Sequence, residues 1–318
     1  MSTSSSPVWV VVPVYRGLEA VQRCLQSVTA AQNRVPWRLL VIDDASPEPA
    51  LRDWLQAWRT QQSGRVLVQR NARNLGFVRT ANKGLALAMA EGADVVLLNS
   101  DTQVAHGWLD RLHAAAHRAD DIGTTTPWSN NATIFSYPAY PEGGELPAGF
   151  DVHRMDALCA QTLRAQAVDV PTAHGFCMYI RSPCLIQTGL FDADAFGRGY
   201  GEENDFCLRA SALGWRHVHA LDVYVQHEGS VSFGAERAAL VAHAAGVIRA
   251  RYPDYDERIQ AYLRTDPTAA ARQALDAALA SWRGGANTPT EDRVDAPRAA
   301  RWQRWLRCVR WGRSGSQP

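Results

Sequence analysis

The chain alternates short apolar runs with segments in which apolar residues recur every three or four positions. Short apolar runs predict strands, and the wider spacing predicts helices that pack by one face. The predicted strands are Val8–Val14, Trp37–Ile42, Val66–Gln69, Val95–Leu98 and Ile122–Thr126. The predicted helices are Leu18–Ala31, Pro49–Trp58, Val78–Ala90 and Trp108–His117. Strands alternating with helices predict βαβ units and a mainly parallel sheet, which is an α/β fold.

The regular pattern stops after the fifth strand. Residues 127–147 are rich in Pro, Gly, Ser, Asn and aromatic residues, and such a long irregular stretch is typical of a functional loop. The elements predicted beyond it are a strand at His174–Arg181, a helix at Glu202–Leu213, strand structure at His217–Val225, and an alanine-rich helical region at Ala235–Trp282 broken near Pro253 and Pro267.

Composition narrows the class of protein. The 318 residues suffice for one large domain or two small ones, and a net charge of +1 gives no global field that would select nucleic acid as a partner. Six cysteines without a C-x-x-C pair argue against zinc and against a disulfide framework. The start of the chain lacks the features of a signal peptide, and no apolar run is long enough to cross a bilayer, so we expect a cytoplasmic location.

The fourth predicted strand ends in a polar segment, Asn99-Ser100-Asp101. Ligands of open α/β sheets bind beyond the carboxyl ends of the strands. A carboxylate there suits Mg²⁺ or Mn²⁺, with a substrate phosphate completing the coordination. The alternative is a turn that also caps the helix near His106, because Asn, Ser and Asp are ordinary turn residues.

A second acidic pair, Asp43-Asp44, follows the second predicted strand. Two acidic strand ends on one sheet edge indicate a nucleotide site, since carboxylates accept hydrogen bonds from a base or a ribose hydroxyl. The alternative is an Asx turn into the next helix, with which Pro47 is consistent. Neither a G-x-G-x-x-G fingerprint nor a P-loop motif is present, which argues against dinucleotide binding and against a P-loop NTPase.

Glu202 and Glu203 open a predicted helix after a glycine-rich loop, Gly197–Gly201. The positive end of the helix dipole favours ionised carboxylates there, as a general base requires. The alternative is plain stabilisation of the helix start, to which Asp205 would add. The loop suits a mobile lid over a ligand, or a simple connector. His227 follows a strand-like run and becomes relevant only if it faces Asp101.

Several short motifs occur together in one order between Val8 and Phe233. They are Val12-Pro13-Val14-Tyr15, Val41-Ile42-Asp43-Asp44-Ala45-Ser46, Asn74-Leu75-Gly76-Phe77, Asn82-Lys83-Gly84, Leu98-Asn99-Ser100-Asp101, Gly201-Glu202-Glu203-Asn204-Asp205 and His227 to Phe233. In this order the chain resembles family 2 glycosyltransferases, most closely bacterial enzymes of O-antigen or other surface polysaccharide assembly, rhamnosyltransferase-like members included. The resemblance implies the GT-A fold, a mainly inverting mechanism, a nucleoside-diphosphate sugar donor, and a saccharide or lipid-linked saccharide acceptor.

The resemblance also implies roles for individual residues. The nucleoside pocket would be lined by Pro13, Tyr15, Asp43 and Asp44, and the base and diphosphate would lie near Asn74, Gly76 and Lys83. Asn99-Ser100-Asp101 matches the D-x-D motif, in which Asp101 would bind Mn²⁺ or Mg²⁺. His227 matches a second metal ligand of some members. Glu203 matches the catalytic carboxylate that takes the proton from the acceptor hydroxyl.

Two departures from the family pattern keep alternatives open. Asn99 replaces the first Asp of D-x-D, and Glu203 stands where many members have Asp, so Glu202 or Asp205 could share the role of base. One alternative function is a non-catalytic sugar-nucleotide-binding or scaffold protein of the same fold. Another is a nucleotidyltransferase, which the lack of a glycine-rich basic loop after the first strand disfavours.

The expected domain organisation is a catalytic domain at 1–234, a helical extension at 235–283, a linker at 284–297 and a basic tail at 298–318. Within the catalytic domain, residues 8–126 would bind nucleotide and residues 127–234 would carry the acceptor and catalytic half. In the tail, arginines recur every third residue from Arg298 to Arg313, and Trp302, Trp305, Leu306 and Val309 form a helical stripe. This composition is typical of a peripheral contact with an anionic membrane, here the inner face of the cytoplasmic membrane. Docking of the stripe on the protein's own catalytic domain is the alternative.

Overall fold

The computed structural model describes residues 7–229 and 237–284. The chain divides into two compact units, residues 1–278 and residues 279–318. The first unit contains the whole sheet and every candidate site residue. Most of the predicted linker and the entire basic tail lie outside the described residues, so the membrane hypothesis stays a prediction. Within the described ranges, no helix combines the length and apolarity needed to cross a bilayer.

The described part of the chain contains ten strands in two sheets. In chain order they are β1 Val8–Val14, β2 Trp37–Asp43, β3 Val66–Arg70, β4 Val95–Leu98, β5 Thr102–Gln103, β6 Ile122–Trp128, β7 Ala167–Val170, β8 Cys177–Ile180, β9 Arg216–Tyr224 and β10 Gln226–His227. The large sheet has the order β3-β2-β1-β4-β8-β6-β9-β7, and β5 pairs separately with β10.

Helices cover both faces of the large sheet and extend beyond it. They are α1 Leu18–Ala30, α2 Pro49–Thr60, α3 Phe77–Ala90, α4 Trp108–Ala116, α5 Val152–Thr162, α6 Ser182–Thr188, α7 Ala193–Phe196, α8 Glu202–Ala212, α9 Arg237–Arg251, α10 Tyr255–Thr265 and α11 Ala269–Gly284. One turn of 3₁₀ helix at Thr133–Phe135 interrupts the irregular stretch that follows β6.

The sheet is mainly parallel, as predicted. Strands β3, β2, β1 and β4 pair in parallel, and β6 pairs in parallel with β9. The antiparallel members are β8, inserted between β4 and β6, and β7 at one edge. Because the parallel strands end at one edge, the polar residues after β2 and β4 lie along that same edge.

Continuous apolar runs fill the centre of the sheet because both of its faces are covered. Val95–Leu98 of β4 are fully buried, as are all four residues of β8. Helix α3 approaches β1 closely through Gly84, where an added Cβ would lie 2.3 Å from Val11 Cγ1. This contact sets the position of α3, whose first turn borders the candidate site.

Four elements between residues 150 and 196 were not predicted, namely α5, β7, α6 and α7. The predicted strand at His174–Arg181 is shorter in the structure, because residues 174–176 form a turn before β8. We call His174–Phe176 the connecting turn. It belongs to the candidate site rather than to the sheet.

Candidate active site

The turn after β4 meets the segment around His227. Asp101 Oδ1 lies 3.4 Å from His227 Nε2, and Asn99 Nδ2 lies 3.4 Å from the same nitrogen. The β5–β10 ribbon creates this contact by placing Thr102 opposite His227. Asp101 is also fixed by Gly229, whose N–H donates to Oδ2 at 3.1 Å. His227 therefore faces Asp101, which makes it a candidate ligand of the same cation.

The imidazole of His227 is held in a defined orientation. Its Nδ1 lies 2.8 Å from the carbonyl oxygen of Asn131, and since a carbonyl only accepts, Nδ1 carries a proton. Nε2 is then the atom that faces Asp101. Metal-binding histidines commonly donate their second ring N–H to a carbonyl in this way, which fixes the ligating nitrogen.

Asp101 and His227 act on each other electrostatically. Burial lowers the pKa of His227, but the hydrogen bond and charge of Asp101 outweigh it, so the pKa is raised overall. Burial raises the pKa of Asp101, and the hydrogen bond and charge of His227 reverse this, so that pKa is lowered. A proton on Nε2 thus occupies the position that a cation would take, and metal binding would release it. One carboxylate, one amide and one imidazole together fit Mn²⁺ or Mg²⁺.

Asp43 and Asp44 are saturated by protein donors. Asp43 Oδ1 accepts from the N–H of Ser46 at 2.7 Å, and its Oδ2 is paired with Arg70, so the predicted Asx-type turn is present. Asp44 accepts from the N–H groups of Leu75 at 2.8 Å and Gly76 at 2.9 Å. It therefore anchors the 74–76 loop at the edge of the sheet.

A cleft of about 390 Å³ opens beside that loop. Its lining residues are Tyr15, Asn74, Leu75, Gly76 and Arg198. Three of them were candidate nucleotide-binding residues in the sequence. Leu75 belongs to the predicted Asn74-Leu75-Gly76 loop, whereas Arg198 was not named as a site residue, although it is the single basic residue inside the Gly197–Gly201 loop.

The remaining nucleotide-site candidates lie around this cleft without lining it. Lys83 donates its Nζ to Asn71 Oδ1, and Asn71 in turn donates to Asp44 Oδ1 at 2.8 Å. Lys83 therefore supports the acidic strand end from α3. Pro13 lies in β1, and Ser100 lies in the turn between Asn99 and Asp101.

The glycine-rich loop is docked against the 74–76 loop. Phe77 N–H donates to the carbonyl of Arg198 at 3.2 Å. Gly76 has a φ of +82°, and an added Cβ would lie 3.1 Å from Arg198 Cα. Only glycine satisfies both this backbone conformation and this close approach. The contact brings the loop that precedes α8 to the cleft beside the 74–76 loop.

Glu202 and Glu203 form the first turn of α8, as predicted. The Oε2 atoms of both are buried without a hydrogen-bond partner among the described residues. Burial raises the pKa of Glu203, and burial together with the charge of Glu203 raises that of Glu202 further. This corrects the expectation that the helix dipole keeps both ionised, because desolvation outweighs the dipole here.

The connecting turn joins the carboxylate to the Asp101 side of the site. Gly175 lies beside Glu203, since a Cβ at Gly175 would be 3.8 Å from the carboxyl carbon and from Oε1 of Glu203. The Phe176 ring stacks on His227 with centroids 5.3 Å apart, and its carbonyl accepts from Asn99 N–H at 2.8 Å. Two consecutive residues thus position both halves of the site.

Asp205 has a different environment. It is fully buried, its Oδ2 accepts from Arg209 Nε at 2.8 Å, and its Oδ1 accepts from Arg251 at 2.9 Å and from Tyr252 at 3.0 Å. These partners tie α8 to α9. Both oxygens of the Asp205 carboxylate are therefore occupied by hydrogen bonds that hold helices together, whereas Oε2 of Glu203 has no such partner among the described residues.

Comparison with known families identifies the chain. The family model described as "Glycosyl transferase family 2" matches residues 9–186, which is more than half of the sequence. The chain belongs to glycosyl transferase family 2. The match includes the acidic ends of β2 and β4 and ends before α8. The roles of Glu202, Glu203, Asp205 and His227 in this family 2 member are therefore argued from geometry.

Solved structures agree with the GT-A fold expected for the family. One is a structure of GalNAc-T7 with UDP, GalNAc and Mn²⁺, at a TM-score of 0.58 and 18% identity, covering 87% of this chain and 55% of that one. Another is the mannosyltransferase PcManGT from Pyrobaculum calidifontis with GDP-Man and Mn²⁺, at a TM-score of 0.52 and 18% identity, covering 98% and 82%. This family 2 chain thus spans about half of the GalNAc-T7 chain. No curated protein matches it.

Proposed function

We propose that the chain transfers a sugar from a nucleoside-diphosphate sugar to a hydroxyl acceptor with inversion at the anomeric carbon. The observation that carries the proposal is the connecting turn, in which Gly175 lies beside the Glu203 carboxylate and the Phe176 ring stacks on His227. A proton acceptor and a candidate cation site are thereby built on one rigid segment. A glycosyl transfer that expels a diphosphate needs both.

The cleft beside the 74–76 loop would receive the nucleoside diphosphate. Its opening between Tyr15 and Arg198 combines an aromatic ring with a guanidinium group, which suits a base or ribose on one side and phosphate oxygens on the other. The presence of UDP and of GDP-Man in the two related structures supports a nucleoside-diphosphate donor. Asp44 would act indirectly, by holding the loop that forms the wall of the cleft.

Asp101 and His227 would hold the divalent cation. Mn²⁺ in both related structures supports this assignment. When bound, the cation would neutralise the negative charge that develops on the departing diphosphate. The protein's contribution is to fix Asp101 through Gly229, and His227 through Asn131 and Phe176.

Glu203 would act as the general base. The acceptor oxygen forms a bond to the anomeric carbon as the bond from that carbon to the diphosphate oxygen breaks, and the hydroxyl proton passes to Glu203. Attack from the face opposite the leaving group inverts the configuration. The raised pKa of Glu203 makes it a stronger base than an exposed glutamate, and its Oε2, which has no hydrogen-bond partner in the described part of the chain, can accept the proton.

The finer expectations extend this proposal. The acceptor would be a saccharide or lipid-linked saccharide, and the setting would be bacterial surface polysaccharide assembly on the cytoplasmic side. Residues 1–234 would form the catalytic domain, and the basic tail would provide peripheral membrane contact. The sequence resemblance and the tail's arginine and tryptophan pattern support these expectations.

The decisive experiment measures product formation from UDP-, dTDP- and GDP-sugars, each with and without Mn²⁺, followed by assignment of the product's anomeric configuration by NMR. We expect one donor to give a metal-dependent, inverted product with the wild-type protein. Asp101→Ala should lose this activity, and Asp53→Ala, a change at an exposed helix residue, should keep it. Donor binding without product would favour the scaffold alternative, which Asn99 in place of the usual Asp suggests. A retained configuration would exclude the role given to Glu203.

A further inference from the structure

A second cluster of candidate ligands lies at the opposite edge of the sheet. Asp94 immediately precedes β4, whereas Asp101 follows the other end of that strand. His113 lies in α4, and His117 lies one turn later at the end of that helix. One ligand atom from each of Asp94, His113 and His117 lies within 4.8 Å of the other two. The cluster has no part in the proposed reaction.

The two imidazoles are arranged side by side. The His113 and His117 rings stack with centroids 4.2 Å apart and an angle of 21° between their planes. His117 Nε2 lies 2.7 Å from Asp94 Oδ2. Histidines at positions i and i+4 of a helix present their nitrogens on one face, which is the spacing that helical zinc sites use.

Asp94 is oriented by groups outside the cluster. Its Oδ2 accepts from the Tyr179 hydroxyl at 2.6 Å, and its Oδ1 accepts from Ser182 N–H at 2.7 Å. Supporting hydrogen bonds of this kind orient metal-binding carboxylates and histidines. The carboxylate is therefore held in place before any ion arrives.

We propose that Asp94, His113 and His117 form a structural site for a divalent transition metal, with Zn²⁺ as the best match. Two imidazoles and one carboxylate suit Zn²⁺, and solvent can supply a fourth ligand because the His117 side chain is 36% exposed. The chain has no C-x-x-C pair that would bind zinc through thiolates, and this set of ligands needs none. Mg²⁺, which prefers oxygen ligands and keeps its waters, is excluded by the two nitrogens.

The bound ion would link the start of β4 to α4, and α6 is attached to this pair through the hydrogen bond from Ser182 to Asp94. Asp94 lies at the start of β4, the histidines lie on α4, and Ser182 opens α6. One guanidinium opposes the ion, since the charge of Arg181 acts on His113. Nη1 of Arg181 donates to the carbonyl oxygens of Ala119, Asp120 and Ile122. Arg181 therefore does not compete with the histidines for the carboxylate of Asp94.

The test is a calorimetric titration of tag-free, chelator-treated protein with ZnCl₂. We expect the wild type and Asp101→Ala to bind Zn²⁺ at this site, and the double variant His113→Gln with His117→Gln to lose it. Tyr179→Phe, which removes one supporting hydrogen bond, should weaken binding about tenfold. His153→Gln, a change at an exposed histidine outside the cluster, should leave binding unchanged.

Two further readouts separate this site from the candidate active site. Zn²⁺ should raise the melting temperature of the wild type but not of the double variant, whose Mn²⁺-dependent transferase activity should stay unchanged. Co²⁺ added to the wild type should give a visible absorption band that the double variant lacks. Equal Zn²⁺ binding by wild type and double variant would overturn the proposal. Loss of binding in Asp101→Ala alone would also overturn it, by assigning the ion to the active site.

Discussion

Adjacent glutamates at the start of α8 differ in what they can do. The Glu203 carboxylate lies beside Gly175 of the connecting turn, whereas Glu202 is 3% exposed and the charge of Glu203 adds to the increase in its pKa. Two negative charges so close together in a buried space repel each other, so ionisation of both glutamates at once is unfavourable. Glu203 is the member of the pair that is tied to the cation side of the site.

Glu203→Gln should lower kcat by about 10²- to 10⁴-fold, because it removes a proton acceptor that acts in the transition state. Donor affinity should change little, since the donor meets other residues. Steady-state kinetics and donor titration check both values. Glu202→Gln serves as the matched control and should cost less than about tenfold. The opposite order would assign the base to Glu202.

The pH profile supplies a second readout of the same substitution. A base with a raised pKa loses activity as the pH falls through that raised value, so the acidic limb of kcat/KM should lie above the ordinary glutamate value of about 4.3. The profile should be recorded at saturating Mn²⁺, which keeps a proton off His227. An acidic limb that survives Glu203→Gln would contradict the assignment.

The carboxylates at the ends of β2 and β4 could be predicted as candidate site residues, because in both places polar residues directly follow an apolar run. Their partners could not be predicted. Asp44 is saturated by the N–H groups of Leu75 and Gly76, which come from a loop distant in sequence. Arg198 enters the cleft only because its backbone docks on Gly76. Hydrogen bonds between loops depend on the finished fold, and local patterns do not encode them.

At the scale of elements, α3 is fixed against β1 by the absence of a side chain at Gly84. Gly84→Ala would place a Cβ 2.3 Å from Val11 Cγ1, so we expect a loss of about 1–3 kcal/mol in the free energy of unfolding. Gly246→Ala, in α9, should instead gain roughly 0.5–1 kcal/mol, because among the described residues no side chain and no backbone beyond its own helix lies within 4 Å of the added Cβ. Urea unfolding of both variants measures the difference. Equal effects would contradict the close packing.

The anchoring of α9 on α8 depends on Asp205. Asp205→Asn should lower the free energy of unfolding by about 1–3 kcal/mol, because it weakens the bonds to Arg209, Arg251 and Tyr252 at a fully buried position. Asp256→Asn, which breaks an exposed pair with Arg249, should cost less than about 1 kcal/mol. Activity per folded molecule should persist in Asp205→Asn. Loss of activity without loss of stability would restore Asp205 as a candidate base.

Elements with a long or continuous pattern were predictable, and short or exposed ones were not. The bounds of β1 and β4 match their predicted bounds because uninterrupted apolar runs define them. Strand β7 has only four residues and pairs with one neighbour, so it shows neither alternation nor a full apolar run. The insertion of antiparallel β8 between β4 and β6 is a property of topology, which apolar spacing does not specify.

At the scale of the molecule, buried histidines make stability depend on pH. Burial lowers the pKa of His174 to about 3 and that of His217 to about 4, and lowers that of His219 further. Below about pH 6.5 these histidines are therefore protonated in the unfolded chain but stay neutral in the folded protein. Stability from these groups is present above that pH and falls as the pH drops. The raised pKa values of Glu202 and Glu203 act in the opposite direction.

His219 allows this effect to be measured alone. Neither ring nitrogen has a hydrogen-bond partner among the described residues, and the ring lies against Trp128 and Phe135. His219→Leu should reduce the pH dependence of the unfolding free energy by about 1.4 kcal/mol per pH unit between pH 5 and 6. Urea unfolding at several pH values checks this. His153→Leu, at an exposed histidine, should leave the slope unchanged, and the same slope in both variants would contradict the burial effect.

The connecting turn has a consequence for how the enzyme can be changed. Gly175 and Phe176 are neighbours in the chain, so in the proposed mechanism any shift of this turn would move Glu203 and His227 together. One inserted residue would disturb both at once, and no compensating change at a single ligand could repair it. Under the proposed function, we therefore expect a change of acceptor to come through the 127–147 stretch, because a change in the connecting turn would alter the positions of Glu203 and His227 together.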